Sequence, residues 1–277
     1  MDIVDFRVRP NTEPFFPLTR NPSWNHVFRT MGYPPPTDRP VVLKEFMEEV
    51  DALGIATCVC VGRDIESSRA RFRVPNDYVA QIVREYPGRI VGFAGIDPLK
   101  GRDALCEIDR AVKDLGLAGV GLDPFEFGMD AGDRRLYRVY ERCAALDVPV
   151  ILTLGPLPLG GVPMRLGSVL PVDDVATDFP ELTLVCVHGG WPFTTQMIAI
   201  AMRHERVYFD TSIYFRMPGA ELVVEAANRI IPDKILYASS YPFAPLKESL
   251  ERFLKLPFTD DARRKVMGEN ARRLLRR

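Results

Sequence analysis

A chain of 277 residues is long enough for one large α/β domain or two small ones. Its hydrophobic and charged fractions, 47% and 26%, are those of an ordinary globular protein, and 36 Lys plus Arg against 37 Asp plus Glu leave a formal net charge of −1. That balance argues against a general nucleic-acid or polyanion binder, and no apolar stretch approaches the length that spans a membrane.

The chain opens on Met1-Asp2-Ile3-Val4-Asp5, without the basic and apolar regions of a signal peptide. Five cysteines (58, 60, 106, 143 and 186), an odd number without framework spacing, fit reduced thiols in a cytoplasmic protein. The first predicted strand, residues 2–8, runs into Arg7-Val8-Arg9-Pro10. Side chains at i and i+2 of a strand face one way, so Arg7 and Arg9 enter one site, with Asp5 on the same face.

Residues 10–40 follow, rich in proline and carrying Phe15, Phe16, Trp24, Phe28 and Tyr33. So long a connection between elements is functional or disordered, and its aromatic content argues for an ordered cover. Further short β-branched runs fall at 55–62, 90–97, 117–123, 149–155, 182–188, 207–212 and 234–239. Amphipathic stretches alternate with them at 41–53, 75–86, 101–115, 133–146, 169–178, 193–203, 219–230 and 244–255. A last helix is expected over 259–275, capped by Thr259 or Asp260, and its basic end, Arg272-Arg273-Leu274-Leu275-Arg276-Arg277, reads as a solvated final turn. Eight strand–helix units without a low-complexity linker predict an α/β fold, a (β/α)₈ TIM barrel forming a single domain over 1–277. Long loops after the first and fifth strands, 10–40 and 155–168, cap its C-terminal face.

Several segments carry a resemblance. They are Val4-Asp5-Phe6-Arg7-Val8-Arg9, Pro87-Gly88-Arg89-Ile90-Val91-Gly92-Phe93-Ala94-Gly95-Ile96-Asp97-Pro98, Gly119-Val120-Gly121-Leu122-Asp123-Pro124 and Pro149-Val150-Ile151-Leu152-Thr153, then Asp173-Asp174-Val175-Ala176-Thr177-Asp178-Phe179-Pro180, Val187-His188-Gly189-Gly190-Trp191-Pro192 and Tyr237-Ala238-Ser239-Ser240-Tyr241-Pro242. In this order and spacing the chain resembles the amidohydrolase superfamily. It is most similar to the amidohydrolase-2 branch, which includes metal-dependent hydrolases and aromatic-acid decarboxylases of the aminocarboxymuconate-semialdehyde decarboxylase type. Carried over residue by residue, the resemblance puts the family's metal ligands, four histidines and an aspartate, at Arg7, Arg9, Thr153, His188 and Ser240. Only His188 matches. Guanidiniums remain protonated and only donate hydrogen bonds, and hydroxyls are weak neutral ligands, so neither a metal nor another cofactor is expected.

His188, at the end of its strand, is then free to act as a general base or acid near neutral pH, with Cys186 pointing the same way but deeper. Arg7 and Arg9 would hold a carboxylate or phosphate, unless Asp5 or Asp123 pairs with them as a buried network. Ser240 and Thr153 can hydrogen-bond a substrate. Asp123, Arg63, Asp210, Trp191, Trp24 and His26 complete the candidate binding residues, with Ser212 beside Asp210. A solvated loop charge is the alternative for Arg63 and loop packing for Trp24 and His26, while His204 is expected at the surface. The reading put first is a metal-independent hydrolase of a small anionic, carboxylated substrate. A metal-free decarboxylase or other lyase, a cyclase, and a non-catalytic small-molecule-binding barrel stay open beside it. The expected partner is a small-molecule anion, with no nucleic acid and no membrane, and a homo-oligomer is compatible with everything read.

Overall fold

The computed structural model describes residues 2–34, 37–154, 161–212 and 217–276, and only the backbone of Ser23 and Val27. Strands β1 (Ile3–Val8) and β2 (Ile55–Val61) are followed by a short antiparallel hairpin of β3 (Asp64–Ile65) and β4 (Phe72–Arg73). Then come β5 (Ile90–Gly95), β6 (Val120–Leu122), β7 (Val150–Leu152), β8 (Leu184–Cys186), β9 (Val207–Asp210) and β10 (Ile235–Leu236). Apart from the hairpin, each strand pairs in parallel with the next, in the order β1-β2-β5-β6-β7-β8-β9-β10. Backbone bonds close the ring: Phe6 N donates to Tyr237 O at 2.9 Å, Ser240 N to Arg7 O at 3.1 Å and Arg9 N to Tyr241 O at 2.8 Å. This is the expected (β/α)₈ TIM barrel, and every expected strand and helical stretch falls on an observed element, with ends displaced by a few residues.

Alternation along the strands divides the apolar side chains into two layers. Phe6, Val59, Val61, Phe93, Ile151, Val185, Val187 and Leu236 fill the barrel interior. Cys58, Cys60, Cys186 and Phe209 join the other layer, between the sheet and its helices. Those helices include α2 (Leu43–Ala52), α3 (Asn76–Glu85), α4 (Arg102–Lys113), α5 (Tyr137–Ala145), α6 (Leu170–Asp178), α7 (Thr194–Arg203), α8 (Ala220–Arg229) and α9 (Leu246–Leu254). Cys186 therefore does not point the way His188 does, as expected from its spacing. It faces the helices, and the chain reverses direction after it.

The first long loop is an ordered cover. It holds a 3₁₀ turn at Phe16–Thr19 and a helix not foreseen from the sequence, α1 (Ser23–Met31). Trp24 packs on Phe243 at 4.4 Å between ring centroids, and Phe15 is fully buried. Pro35 and Pro36 of this loop, Gly155 and Gly160 of the second long loop, and Arg277 lie outside the described residues.

The expected last helix is interrupted. Residues α10 (Asp260–Arg264) pass through a π turn, Lys265–Glu269, into α11 (Asn270–Leu275). Thr259 caps α10, its hydroxyl accepting from Ala262 N at 3.3 Å. Gly268 lies so close to the chain start that a Cβ there would sit 2.2 Å from Asp2 O. Ala271 and Leu274 join the barrel-interior layer, so this segment packs into the barrel with the N-terminal strand residues. No helix among the described residues is long and apolar enough to cross a membrane.

Candidate active site

Every candidate but Trp24, Trp191, His26 and Ser240 sits at the C-terminal end of a barrel strand or one residue or two past it, and Ser240 follows the end of β10 by four residues. Arg7 gets there through an irregularity. Asp5 pairs with Cys58 and Val8 with Cys60, so Phe6 and Arg7 together oppose the single residue Val59. Such a bulge inserts one residue and turns both neighbours to one side. Phe6 thus fills the interior while Arg7 enters the mouth. The same bulge overturns the expectation that Asp5 shares their face. Asp5 lies with Cys58 in the outer layer, and its Oδ1 accepts from Ser239 N at 2.9 Å and Arg7 N at 3.3 Å. Burial pushes its carboxyl up to about 7.

Arg7 and Arg9 are each only 4% exposed. Arg7 Nη1 donates to His188 Nε2 at 3.1 Å and to Ser240 Oγ at 3.4 Å, and its Nη2 donates to Thr153 Oγ1 at 3.3 Å. One guanidinium therefore touches three of the four other positions that the resemblance had marked for metal ligands, all but Arg9. Arg9 Nε donates to Val61 O at 3.1 Å, while its Nη2 is buried without a hydrogen-bond partner among the described residues. Burial, and then the charge of Arg7, lower the Arg9 pKa to about 9.

His188 has φ +65°, and Ser240 has the same φ. Left-handed backbone at a residue other than glycine costs about 1–3 kcal/mol and collects at functional sites. Asp210 holds the first of these turns, its Oδ1 accepting from His188 N at 2.9 Å and from Ser212 N at 3.0 Å. The ring's protonation follows from its partners. A guanidinium only gives hydrogens, so Nε2 is the bare acceptor and Nδ1 carries the proton. Nδ1 donates to Ser212 Oγ at 2.9 Å, and the Ser212 hydroxyl donates to Asp210 Oδ1 at 2.5 Å. Burial, and then the Arg7 charge, hold the imidazole well below its ordinary pKa. The expectation that His188 titrates near neutrality is corrected accordingly, because a buried ring facing a fixed cation keeps its neutral form. Burial raises the Asp210 carboxyl, and its Oδ2 has no partner among the described residues.

Arg63 is buried and ion-paired. Its Nε donates to Asp123 Oδ2 at 3.2 Å and its Nη2 to Glu126 Oε1 at 2.5 Å. The chain leaving β2 crosses β5 at Gly95, where a Cβ would stand 2.4 Å from Arg63 N, and only glycine permits that approach. Burial opposes ionisation of Asp123, but Arg63, Arg9 and Arg7 outweigh it and hold the carboxyl below its usual range. Asp123 thus pairs with Arg63, whose guanidinium it binds directly. Glu126, in a 3₁₀ turn at Pro124–Phe127, was not singled out from the sequence. Its one signal there is an acidic side chain three positions after a strand end. Burial raises its pKa, with Arg63 opposing.

Above Arg63 and Glu126 lies a cavity of about 720 Å³, walled by Leu18 and Trp24 of the cover, by Ile65 and Phe72 of the hairpin, and by Gly161 and Val162. Trp191 instead donates from Nε1 to Pro218 O at 2.9 Å and borders, with His188, a void of about 20 Å³. His26 is exposed on α1 and belongs to neither lining. His204, expected at the surface, is half-buried with Nε2 2.6 Å from Asp173 Oδ1.

Comparison with known proteins agrees with the barrel fold. A TIM-barrel protein of Bordetella bronchiseptica superposes with a TM-score of 0.88 at 32% identity, over 100% of this chain and 99% of that one. The gamma-resorcylate decarboxylase of Polaromonas sp. (strain JS666) is 24% identical over 76% of this chain and 78% of its own length. The 2-amino-3-carboxymuconate-6-semialdehyde decarboxylase of Dictyostelium discoideum is 29% identical over 43% of this chain and 38% of its own. Residues 48–277 match the family Amidohydro_2, described as amidohydrolase, and the chain belongs to that family.

Proposed function

We propose that this chain is a metal-independent lyase of the decarboxylase type, acting on a small carboxylated substrate. The observation that carries the reading is the Arg7 guanidinium, bonded at once to Thr153, His188 and Ser240. It supplies a tethered positive charge where the family resemblance would put a metal ion. The donor set does not suit a metal: two guanidiniums repel it, two hydroxyls bind it weakly, and the Nε2 lone pair of His188 already accepts from Arg7. The named activities of the relatives support carbon–carbon cleavage over the hydrolysis first expected. Water activation also needs a base with an available lone pair, which His188 lacks in this arrangement.

In decarboxylation the bond to the carboxylate breaks and its electron pair enters the substrate's own conjugated system, because arginine is no electron sink. A guanidinium clamped on the leaving carboxylate would stabilise the ground state. One set against the oxygen that collects charge stabilises the transition state instead. Arg7 and Arg9 take that second role, held in place by the surrounding hydroxyls and backbone. Glu126 supplies the proton that replaces carbon dioxide on carbon. It borders the cavity, burial raises its pKa, and it lies within electrostatic reach of Arg9.

The test is carbon dioxide release from hydroxylated benzoates and enolic carboxylic acids, with one phenol or ketone formed per carbon dioxide. Activity should survive a chelator unchanged and fall by about 10²-fold or more in Arg7→Met, the scale of losing one oxyanion donor. Turnover that vanishes with a chelator and returns with manganese would sink metal independence. Hydrolysis of lactones or amides without carbon dioxide release would sink the lyase reading.

A further inference from the structure

Two buried charges at the barrel mouth attract each other and do not touch. Arg9, just past the end of β1, and Asp123, just past the end of β6, are each 4% exposed. Each charge favours the ionised form of the other, yet no hydrogen bond or salt bridge joins the two side chains. Both are anchored from elsewhere. Arg9 Nε donates to Val61 O at 3.1 Å, and Asp123 Oδ2 accepts from Arg63 Nε at 3.2 Å. Each then keeps one buried polar atom without a hydrogen-bond partner among the described residues: the donor Nη2 of Arg9 and the acceptor Oδ1 of Asp123. Buried polar atoms are nearly always bonded, because the water they gave up is costly to lose. A donor and an acceptor, both orphaned and both held in place, mark a gap that takes a third group.

The chemistry of the gap limits what fills it. Burial opposes ionisation of Asp123, but the charges of Arg63, Arg9 and Arg7 hold it as a carboxylate, which only accepts hydrogen bonds. The Arg9 guanidinium only donates them. One hydroxyl satisfies both, accepting from Nη2 through a lone pair and giving its hydrogen to Oδ1. An ether oxygen accepts from Arg9 but leaves Oδ1 facing a methyl group. A carboxylate in the gap meets Arg9 but sets like charges face to face at Asp123. We propose that Arg9 Nη2 and Asp123 Oδ1 form a hydroxyl subsite, and that Asp123 is a specificity-determining residue, selecting a hydroxylated anion over its methyl ether and over a dianion. This rests on the reading of Arg7 and Arg9 as the site of the ligand's anionic end. A water makes the same two bonds, so the gain from the hydroxyl shows against analogues that expel the water without replacing both of them.

Titration calorimetry on the full chain, wild type and Asp123→Asn, compares benzoate with its hydroxy, methoxy and second-carboxylate derivatives in the ortho, meta and para series. In wild type one hydroxy isomer should bind at least about tenfold more tightly than benzoate, than its own methyl ether and than the dicarboxylate of the same series. In Asp123→Asn the like charge is gone, and that dicarboxylate should gain about tenfold on the hydroxy isomer. A wild type that binds benzoate yet prefers no hydroxy isomer to its ether overturns the subsite. So does a folded Asp123→Asn that keeps the wild-type order. Either result leaves the reading of Arg7 and Arg9 as an anion site standing. If the substitution prevents folding, the wild-type series decides alone, by the same margins. If a folded wild type, checked by its melting transition, binds none of the probes, the subsite and the anion site fall together.

Discussion

Asp5 and His188 are buried groups whose charge states pull stability in opposite directions. Asp5, lifted to about 7, holds a proton in the folded chain that the unfolded chain has lost above about pH 4. Its contribution is therefore present at low pH and disappears as pH rises toward 7. Asp5→Asn keeps an acceptor for Ser239 N and Arg7 N but cannot ionise. Relative to wild type it should melt a few degrees higher at pH 8 and about equally at pH 5. An equal shift at both values would place the ionised carboxylate in a solvated setting. His188 behaves in the reverse sense. Its folded pKa lies below the unfolded one, so the unfolded chain binds the extra proton and stability falls as pH drops below about 6.5. His188→Gln should flatten that acid limb, and kcat/KM of the wild type should show no step near pH 6.5. A clear step that vanishes in the variant would restore His188 as the titrating catalyst. At this scale the sequence reveals half the site. Strand alternation gives the inward course of Arg9, and strand ends give Asp123, Thr153, His188 and Ser240. The bulge at Phe6 and Arg7 is invisible to alternation, because an inserted residue changes parity without changing composition. The charge on His188 depends on a partner 181 residues away, which no local pattern encodes.

Among the elements, the barrel strands and their helices are legible because each has a strong period of its own. The parts that shape the mouth are not. The hairpin strands have two residues each, too few to show alternation, and α1 lies within proline-rich sequence that reads as loop. Yet these two elements wall the cavity from opposite sides. The cover is tied down by the Trp24 ring on Phe243, which follows directly on the segment that closes the barrel. Trp24→Ala should therefore raise KM or Kd for a carboxylate several-fold and lower the melting temperature by only a few degrees. The large ring is partly exposed already, so its loss leaves no sealed void. A loss of folding instead would show that the cover is part of the core. The π turn before α11 is likewise unreadable as such. It answers a steric demand, the approach of Gly268 to Asp2 O, made by residues at the other end of the sequence.

For the molecule as a whole, the barrel ring and the site are completed by the same contacts. Arg7 O accepts from Ser240 N across the seam between the first and last barrel strands, and the Arg7 side chain reaches partners 146, 181 and 233 residues away along the chain. Loops of that length close late, because the entropy lost in joining the ends is recovered only after the intervening strands have paired. The site consequently has no half-built ancestor on the folding route. A chain with most of its helices formed and the seam still open presents Arg7 to water, with none of its distant partners in place. On dilution from denaturant, helical circular dichroism should return ahead of the quenching of tryptophan fluorescence by a bound carboxylate, which Trp24, in the cavity wall, is placed to sense. Quenching that accompanies the earliest helical signal would mean that anion capture needs only local structure. Under the proposed function, anion binding would thus act as a proofreading signal for the barrel's own completion, arising only once the first strand has met the last.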